Sequence, residues 1–286
     1  MHVFVTGATG FIGSSVVKEL ISASHSVLGL ARNDAAANAL VAMGADVHRG
    51  TLEDVNSLKL GAEKADAVIH LGFKHDAAND FSKFAQNCEF DRLAIEALGD
   101  ALAGTNRHLI VSSGTGAPTE DTSPVANPRL PRVSEKTALA QIDKGVRVSV
   151  IRLSQVHNPE KHGIIDHLIT LAKEKKESAY IGDGDNRLAA VNVLDAALLY
   201  RLVLEKGVSG VCYHAIGEEG ISLKDIATAI GRRLKVPVIS KSPADAAAHF
   251  GWLVVFASAN IPASNKLTCE WLDWQPTHVG MIADIG

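Results

Sequence analysis

The sequence predicts an α/β protein with a doubly wound parallel sheet and a smaller C-terminal α/β capping lobe. Apolar, strand-like runs alternate with helical patterns without a break from residue 2 to about residue 153. This alternation is typical of a parallel sheet covered by helices on both faces. It loosens afterwards, so we expect one domain over residues 1–155 and a substrate-binding lobe over residues 156–286, with the segment 185–215 returning to the first domain.

The first strand–helix–strand unit is the most informative part of the chain. Residues 2–6 (HVFVT) read as a buried strand, residues 14–22 as a helix and residues 26–31 as a second strand. A glycine-rich turn, GATGFIG over residues 7–13, joins the first strand to the helix. Glycines in this position, between a strand and a helix, are typical of a Rossmann-type dinucleotide-binding turn.

The three glycines of this turn have separate roles. Gly7 permits the tight turn, Gly10 lets the backbone approach a pyrophosphate, and Gly13 lets the helix pack close to the strand. The N-terminus of the helix presents free N–H groups and the positive end of its dipole to the phosphates. The cofactor-binding residues predicted here are Gly7, Thr9, Gly10, Phe11, Ile12 and Gly13.

The remaining elements follow from apolar periodicity and from turn residues. In the first domain we expect strands at residues 45–48, 66–71, 107–112 and 147–151, and helices at 34–43, 53–62, 81–103 and 134–144. Asp34 is the expected N-cap of the first of these helices. In the second region we expect helices at 164–176, 194–205 and 223–234, and strands at 179–181, 188–193, 211–215 and 236–239.

Composition excludes several classes of function. The 286 residues are 47% hydrophobic and 21% charged, with a net charge of −4 and no cluster of lysine or arginine, so we expect no nucleic-acid partner. No apolar run approaches the length of about 18 residues that spans a membrane. The strand starting at residue 2 leaves no room for a secretory signal, and three separated cysteines suggest packed thiols. We therefore expect a cytoplasmic protein.

With these elements in place, the chain resembles the extended short-chain dehydrogenase/reductase superfamily, also called the NAD-dependent epimerase/dehydratase family. The motifs that carry the resemblance are Thr6-Gly-Ala-Thr-Gly-Phe-Ile-Gly13, Ala67-Val-Ile-His-Leu-Gly72, Val111-Ser-Ser113, Ile151-Arg-Leu-Ser-Gln-Val-His-Asn-Pro159, Arg187-Leu-Ala-Ala-Val-Asn-Val-Leu-Asp-Ala196 and Trp271-Leu-Asp-Trp-Gln-Pro276. They appear in the family's order and cover nearly the whole chain. As a set they are specific for the fold and much less specific for the reaction.

The resemblance implies a catalytic site with one departure from the family. The family's catalytic hydroxyl falls on Ser113, with Ser112 and Thr115 as neighbours that could substitute, and its lysine falls on Lys136. Arg132 stands where the family's tyrosine should be, and no tyrosine occurs between residues 1 and 179. A phenol can act as acid or base once its pKa is lowered, whereas an arginine stays charged and cannot shuttle a proton.

Three functions therefore remain open: an atypical reductase, an epimerase or dehydratase with another base, and an NADP-binding sensor or regulator without turnover. For the reductase, His75 with Asp76 beside it is a candidate acid/base, because imidazole titrates near neutral pH. The alternative is that His75 is a surface-loop histidine. Arg132 either anchors an anionic or carbonyl oxygen through its several donors, or is an ordinary loop arginine.

The residue after the second strand indicates the cofactor. An acid there hydrogen-bonds the ribose 2′-hydroxyl of NAD, and an arginine accommodates the 2′-phosphate of NADP. Arg32 therefore favours NADP, with Asn33 as a possible second phosphate contact and NAD as the second choice, because arginine also stacks on adenine. The resemblance adds further cofactor contacts at Thr51, Leu52, Leu71, Gly72, Phe73, Lys136 and Leu153.

We expect an NADP-dependent oxidoreductase of the atypical short-chain type that reduces a ketone or aldehyde, or oxidises the matching alcohol. The predicted substrate contacts are Ser113, Gln155, His157 and Trp252. We expect no metal, because the five-residue spacing of His157, His162 and His167 fits neither one helix face nor a known ligand framework. A homodimer through helices 80–103 and 134–144 is implied by the resemblance only.

Overall fold

The computed structural model describes residues 1–74, 83–124 and 131–286. Within these ranges, seven parallel strands form the main sheet, in the order β3-β2-β1-β4-β5-β6-β10. These strands are β1 (His2–Thr6), β2 (Ser26–Ala31), β3 (Asp46–Arg49), β4 (Ala67–His70), β5 (His108–Gly114), β6 (Arg147–Leu153) and β10 (Cys212–Ala215). The order reverses between β1 and β4, which is the place where doubly wound sheets bind their ligands.

Helices connect and cover these strands. They are α1 (Phe11–Ser22), α2 (Asp34–Ala42), α3 (Val55–Glu63), α4 (Phe84–Leu102), α5 (Ser134–Leu139), α6 (Ile165–Lys175), α7 (Val193–Lys206), α8 (Leu223–Leu234), α9 (Pro243–Phe250), α10 (Val254–Ala257), α11 (Lys266–Leu272) and α12 (Met281–Ile285). Short 3₁₀ turns lie at Ile142–Lys144 and Gly251–Leu253. Over the described part of the chain, no helix has both the length and the apolar character that crossing a membrane requires.

Two smaller sheets lie in the described residues beyond β6. One contains β7 (Gln155–His157), β9 (Arg187–Asn192) and β11 (Glu218–Ser222), and the other pairs β8 (Ser178–Ile181) with β12 (Val238–Lys241). Between β9 and β11 the chain forms α7, which packs on α1, and then β10, which joins the main sheet beside β6. The two strands that were expected at residues 211–215 and 236–239 therefore belong to different sheets.

Both faces of the main sheet are buried. On β1, Val3 and Val5 pack in a core with residues of α1 and α7, while Phe4 faces the other core with residues of α3 and α4. Successive side chains of a strand point to opposite faces. Complete burial of one large apolar side chain contributes about 1.5–3 kcal/mol. The near-continuous apolar strands thus stabilise helices on both sides, as the predicted fold class requires.

Three local predictions are corrected. The N-cap of α2 is Asn33 and not Asp34, since the Asn33 Oδ1 accepts a hydrogen bond of 2.9 Å from the Ala36 N–H. The expected helix 134–144 ends at Leu139 and continues only as a 3₁₀ turn, which Gly145 closes with φ +76°. The short strands β7 and β11 were not predicted, because three and five residues of mixed polarity carry little periodicity.

Candidate active site

At Gly7 and Gly13, the glycine-rich turn leaves no room for a side chain. At Gly7, with φ +67°, a Cβ atom would lie 2.8 Å from the nitrogen of Gly72, which follows the neighbouring strand β4. At Gly13 a Cβ would lie 2.0 Å from the Gly7 carbonyl oxygen. Gly10 is the N-cap of α1 and supplies no side-chain cap, and no acidic residue lies in the first turn. The turn therefore forms a backbone cradle for an anion, which fits the pyrophosphate of a dinucleotide.

The ends of β1, β3 and β4 meet at this turn. The Thr6 hydroxyl accepts a 3.1 Å hydrogen bond from the Gly72 N–H and lies 2.8 Å from the His70 Nδ1. Leu52 lies against Gly72, because a Cβ there would be 2.7 Å from a Leu52 methyl group. The segments expected to contact adenine and ribose, Thr51–Leu52 and Leu71–Phe73, are thus at the same edge of the sheet as the turn.

The end of β2 presents a free cation. Arg32 is exposed and has no hydrogen bond or ion pair with any residue that the structure describes. Asn33 uses its side-chain oxygen to cap α2. The carboxylate of Asp34 is 2.7 Å from the Arg49 Nη2 and so is already paired. At this edge, a ligand therefore meets an unpaired positive charge at residue 32.

Adjacent serines at the end of β5 point to opposite faces of the strand. The Ser112 hydroxyl is buried, donates to the His70 carbonyl oxygen at 2.9 Å and lies 2.7 Å from the Tyr200 hydroxyl. Ser113 is half-buried, and its hydroxyl has no partner in the described ranges. The Thr115 hydroxyl is buried without a partner there too. Of the two serines, only Ser113 has a hydroxyl available to a substrate.

Arg132 is held rigidly beside Ser113. Its Nη2 donates to the Ser112 carbonyl oxygen at 3.1 Å, and its Nε donates to the Ser134 hydroxyl at 2.7 Å. The guanidinium carbon lies 4.3 Å from the centre of the Phe73 ring, which is a cation–π contact. The Arg132 side chain is 25% exposed. Several of its donors remain for a ligand, since guanidinium has five N–H groups.

A buried carboxylate, Asp91 on α4, balances the charge of Arg132. Its Oδ2 lies 3.7 Å from the Arg132 Nε and accepts a hydrogen bond from the Ser134 hydroxyl, and its Oδ1 is 3.3 Å from the His70 Nε2. Burial alone would raise the pKa of Asp91, but the hydrogen bond and charge of His70, the charge of Arg132 and the Ser134 hydroxyl hold it below its ordinary value. Sequence reasoning missed Asp91, because a carboxylate on an amphipathic helix gives no signal of its partner.

Tyr200 brings a phenol close to the site, although no tyrosine precedes residue 180. It lies on α7, is fully buried and touches the Ser112 hydroxyl. Burial raises the pKa of Tyr200, so this phenol does not ionise near neutral pH. Lys136 is exposed on the first turn of α5, without an ion pair among the residues described.

The remaining residues that were predicted to contact cofactor or substrate lie in several parts of the fold. His75 lies outside the described residues. His157 is buried, with its Nδ1 2.7 Å from the Asp284 Oδ2 of the C-terminal helix. Trp252 packs edge-on against His167 of α6, with ring centres 5.2 Å apart. Leu153 lies at the end of β6 and Gln155 on β7, and both side chains are half-buried.

Two known proteins show what this chain is similar to over most of its length. An uncharacterised protein of Schizosaccharomyces pombe is 45% identical over 293 residues, which cover 100% of this chain and 98% of that protein. A second relative is the 4-hydroxy-2-methyl-3-oxo-4-farnesyl-3,4-dihydroquinoline-1-oxide ketoreductase of Stigmatella aurantiaca. It is 25% identical over 288 residues, which cover 92% of this chain and 84% of the relative.

A solved structure and a family model add to these two relatives. The UDP-glucose 4-epimerase of Thermotoga maritima, in complex with UDP-glucose, matches the structure with a TM-score of 0.75 and 19% identity, covering 100% of this chain and 96% of the epimerase. That likeness concerns the fold alone. The family model of the NAD dependent epimerase/dehydratase family matches residues 3–216. Since these residues include the glycine-rich turn and every strand of the main sheet, the chain belongs to the NAD-dependent epimerase/dehydratase family.

Proposed function

We propose that the protein is an NADP-dependent oxidoreductase that transfers a hydride between the nicotinamide and a ketone or aldehyde, or the matching alcohol. The observation that carries this proposal is that Arg132 is anchored at the end of β5, on the residue next to Ser113 along the chain. Arg132 is bonded to the carbonyl of the residue before Ser113. At the end of β5 there are thus a hydroxyl without a partner among the described residues and an anchored guanidinium, which also contacts Phe73 in the segment next to the glycine-rich turn.

The choice of NADP rests on Arg32. Its guanidinium has no partner among the described residues, whereas the nearest carboxylate, Asp34, is engaged by Arg49. A 2′-phosphate would pair with Arg32 through charge-assisted hydrogen bonds. A ribose 2′-hydroxyl, by contrast, would have to share the carboxylate of Asp34 with Arg49 to donate a hydrogen bond to it.

The side chains divide the chemistry as follows. Bound nicotinamide supplies or accepts the hydride. The Ser113 hydroxyl donates a hydrogen bond to the substrate oxygen, and the spare N–H groups of Arg132 stabilise the negative charge that develops on it. Because arginine keeps its proton, we assign delivery of the final proton to Lys136, whose exposed ammonium can exchange with water. Asp91 keeps the Arg132 guanidinium in place through Ser134.

The relatives support hydride chemistry more than sugar epimerisation. The ketoreductase of Stigmatella aurantiaca is similar over 92% of this chain, and its name describes reduction of a ketone. The epimerase of Thermotoga maritima supports the fold only. A ketone or aldehyde substrate therefore accords better with this relative than a sugar nucleotide does.

Turnover with a panel of ketones and aldehydes tests this function. We expect NADPH to be oxidised faster than NADH, as followed by its near-ultraviolet absorbance, and Ser113→Ala to lower kcat/KM about tenfold or more. Ser22→Ala, an exposed hydroxyl at the end of α1, serves as the control. Tight NADPH binding without turnover on any carbonyl would instead support a sensor, and an unchanged rate in Ser113→Ala would remove Ser113 from the mechanism.

A further inference from the structure

The loop between β7 and α6 carries a lysine to the glycine-rich turn. Lys161 is exposed, and its Nζ lies 5.6 Å from the centre of the Phe11 ring. Phe11 is the first residue of α1 and directly follows the N-cap Gly10. A cation that is 150 residues away along the chain therefore lies next to the backbone cradle.

The backbone on both sides of Lys161 is fixed. The Asn158 Oδ1 accepts hydrogen bonds from the Lys161 N–H at 2.8 Å and the Glu160 N–H at 3.0 Å, and the Asn158 N–H donates to the Lys161 carbonyl at 2.8 Å. The next residue, His162, is buried, with its Nδ1 2.8 Å from the Asp166 Oδ1. A ligand at this loop would not have to order it, so little affinity would be lost to conformational entropy.

The ammonium of Lys161 has no ion-pair partner among the described residues. The first turn of α1 holds no acid. The N-terminus of α1 adds the positive end of the helix dipole. Within the described ranges, the contact recorded for this ammonium is with the ring of Phe11. A cation and a positive helix end that lie together without an anion indicate where an anion binds.

We propose that Lys161 is a cofactor-binding residue whose ammonium contacts the pyrophosphate of the dinucleotide, opposite the N–H groups of α1. The inference rests on the proposed function for the presence of a dinucleotide in the turn. NAD and NADP share the pyrophosphate, so Lys161 strengthens the binding of both. Arg32, at the separate end of β2, strengthens the binding of NADP alone.

Direct binding of NADPH and of NADH to the full-length protein, measured by fluorescence without substrate, tests this assignment. We expect Lys161→Gln to raise Kd about fivefold to tenfold for both nucleotides, and added salt to shrink the difference. Lys161→Arg should stay within about twofold of the wild type, because it keeps the charge. Lys18→Gln is the matched control, since Lys18 is an exposed lysine on α1 itself and its loss changes the net charge equally.

The outcomes separate this inference from the proposed function. An unchanged Kd for both nucleotides in Lys161→Gln, or a loss confined to NADPH, would overturn the assignment of Lys161. Arg32→Ala reports the NADP preference independently, with a loss expected for NADPH alone. A wild-type protein that binds both nucleotides but reduces no carbonyl would contradict the proposed reaction, while Lys161 would still be judged by the binding data. A wild-type protein that binds neither nucleotide would overturn both.

Discussion

By the resemblance, Arg132 stands where the family has its tyrosine, so the proposed mechanism relies on different chemistry at this position. A tyrosine hydroxyl can give and take a proton, whereas a guanidinium keeps its charge throughout the reaction. Placing that charge next to Ser113 requires a counter-charge, which Asp91 supplies at 3.7 Å. The Ser134 hydroxyl lies between them, accepting from Arg132 and donating to Asp91. In the mechanism we propose, Arg132 therefore acts as a fixed charge, and the proton that is transferred comes from another group.

Replacing Arg132 tests that interpretation. We expect Arg132→Gln to lower kcat/KM about tenfold or more, because the developing negative charge loses its strongest donors. The free energy of unfolding should fall by about 1–3 kcal/mol as Asp91 loses its cationic partner, less than for a fully buried pair because Arg132 is 25% exposed. Chemical denaturation of Arg132→Gln, Asp91→Asn and the double variant measures this. A double variant that loses the full sum of the single losses would refute the coupling of the two charges.

At the level of elements, the glycine-rich turn depends on the close packing of α1 against β1 and β4. The helix begins directly at Phe11, and its first N–H groups are left without a side-chain cap. An uncapped N-terminus lowers the stability of an isolated helix. Here the loss is offset by packing, since Val16, Val17 and Leu20 of α1 are completely buried. Helix α1 is thus less stable locally at the end where we propose that the cofactor binds.

Filling the space at Gly13 should disturb both fold and binding. A Cβ at this position would lie 2.0 Å from a backbone oxygen, so Gly13→Ala forces the helix away from the turn. We expect a loss of about 3 kcal/mol of unfolding free energy and of most NADPH affinity. Gly217→Ala is the control, because its Cβ would meet its nearest atom at an ordinary 3.5 Å. Thermal unfolding and nucleotide titration measure both effects, and equal behaviour of the two variants would contradict the steric argument.

For the whole molecule, one buried histidine makes stability depend on pH at the sheet edge opposite the site. His108, at the start of β5, receives a 2.9 Å hydrogen bond on Nδ1 from Arg147, and its Nε2 lies 2.9 Å from the Ser149 hydroxyl. Burial, together with the positive charge of Arg147, lowers the pKa of His108 to about 3. The folded protein therefore keeps this imidazole neutral, while the unfolded chain protonates it below about pH 6.5.

The sign of the resulting effect is a loss of stability on acidification. Between about pH 6.5 and the folded-state pKa of about 3, the unfolded state binds a proton that the folded state does not, so the unfolding free energy should fall by up to about 1.4 kcal/mol per pH unit. His108→Gln should flatten this slope, because its amide can make neutral hydrogen bonds to the same neighbours. Urea denaturation at a series of pH values measures it. A slope that is the same in the variant and the wild type would exclude His108 as the source.

Much of the fold follows from local patterns. The alternation of apolar strands and helices predicts every strand of the main sheet to within a few residues, because each buried strand carries its own signal along the chain. The glycine-rich turn and Arg32 are local as well, since both lie within one strand–helix–strand unit. The assignment of Arg132 to the tyrosine position is also made from the sequence, because the resemblance places the family's lysine at Lys136.

The tertiary structure decided what surrounds these residues. Asp91 lies 41 positions from Arg132, and Lys161 lies 150 positions from Phe11. Contacts across such separations leave no periodicity in the sequence, and they form only when the sheet order brings the strand ends to one edge. The charge partner of Arg132 and the cation beside the glycine-rich turn were therefore determined by folding, while the glycines and Arg32 were determined by the sequence itself.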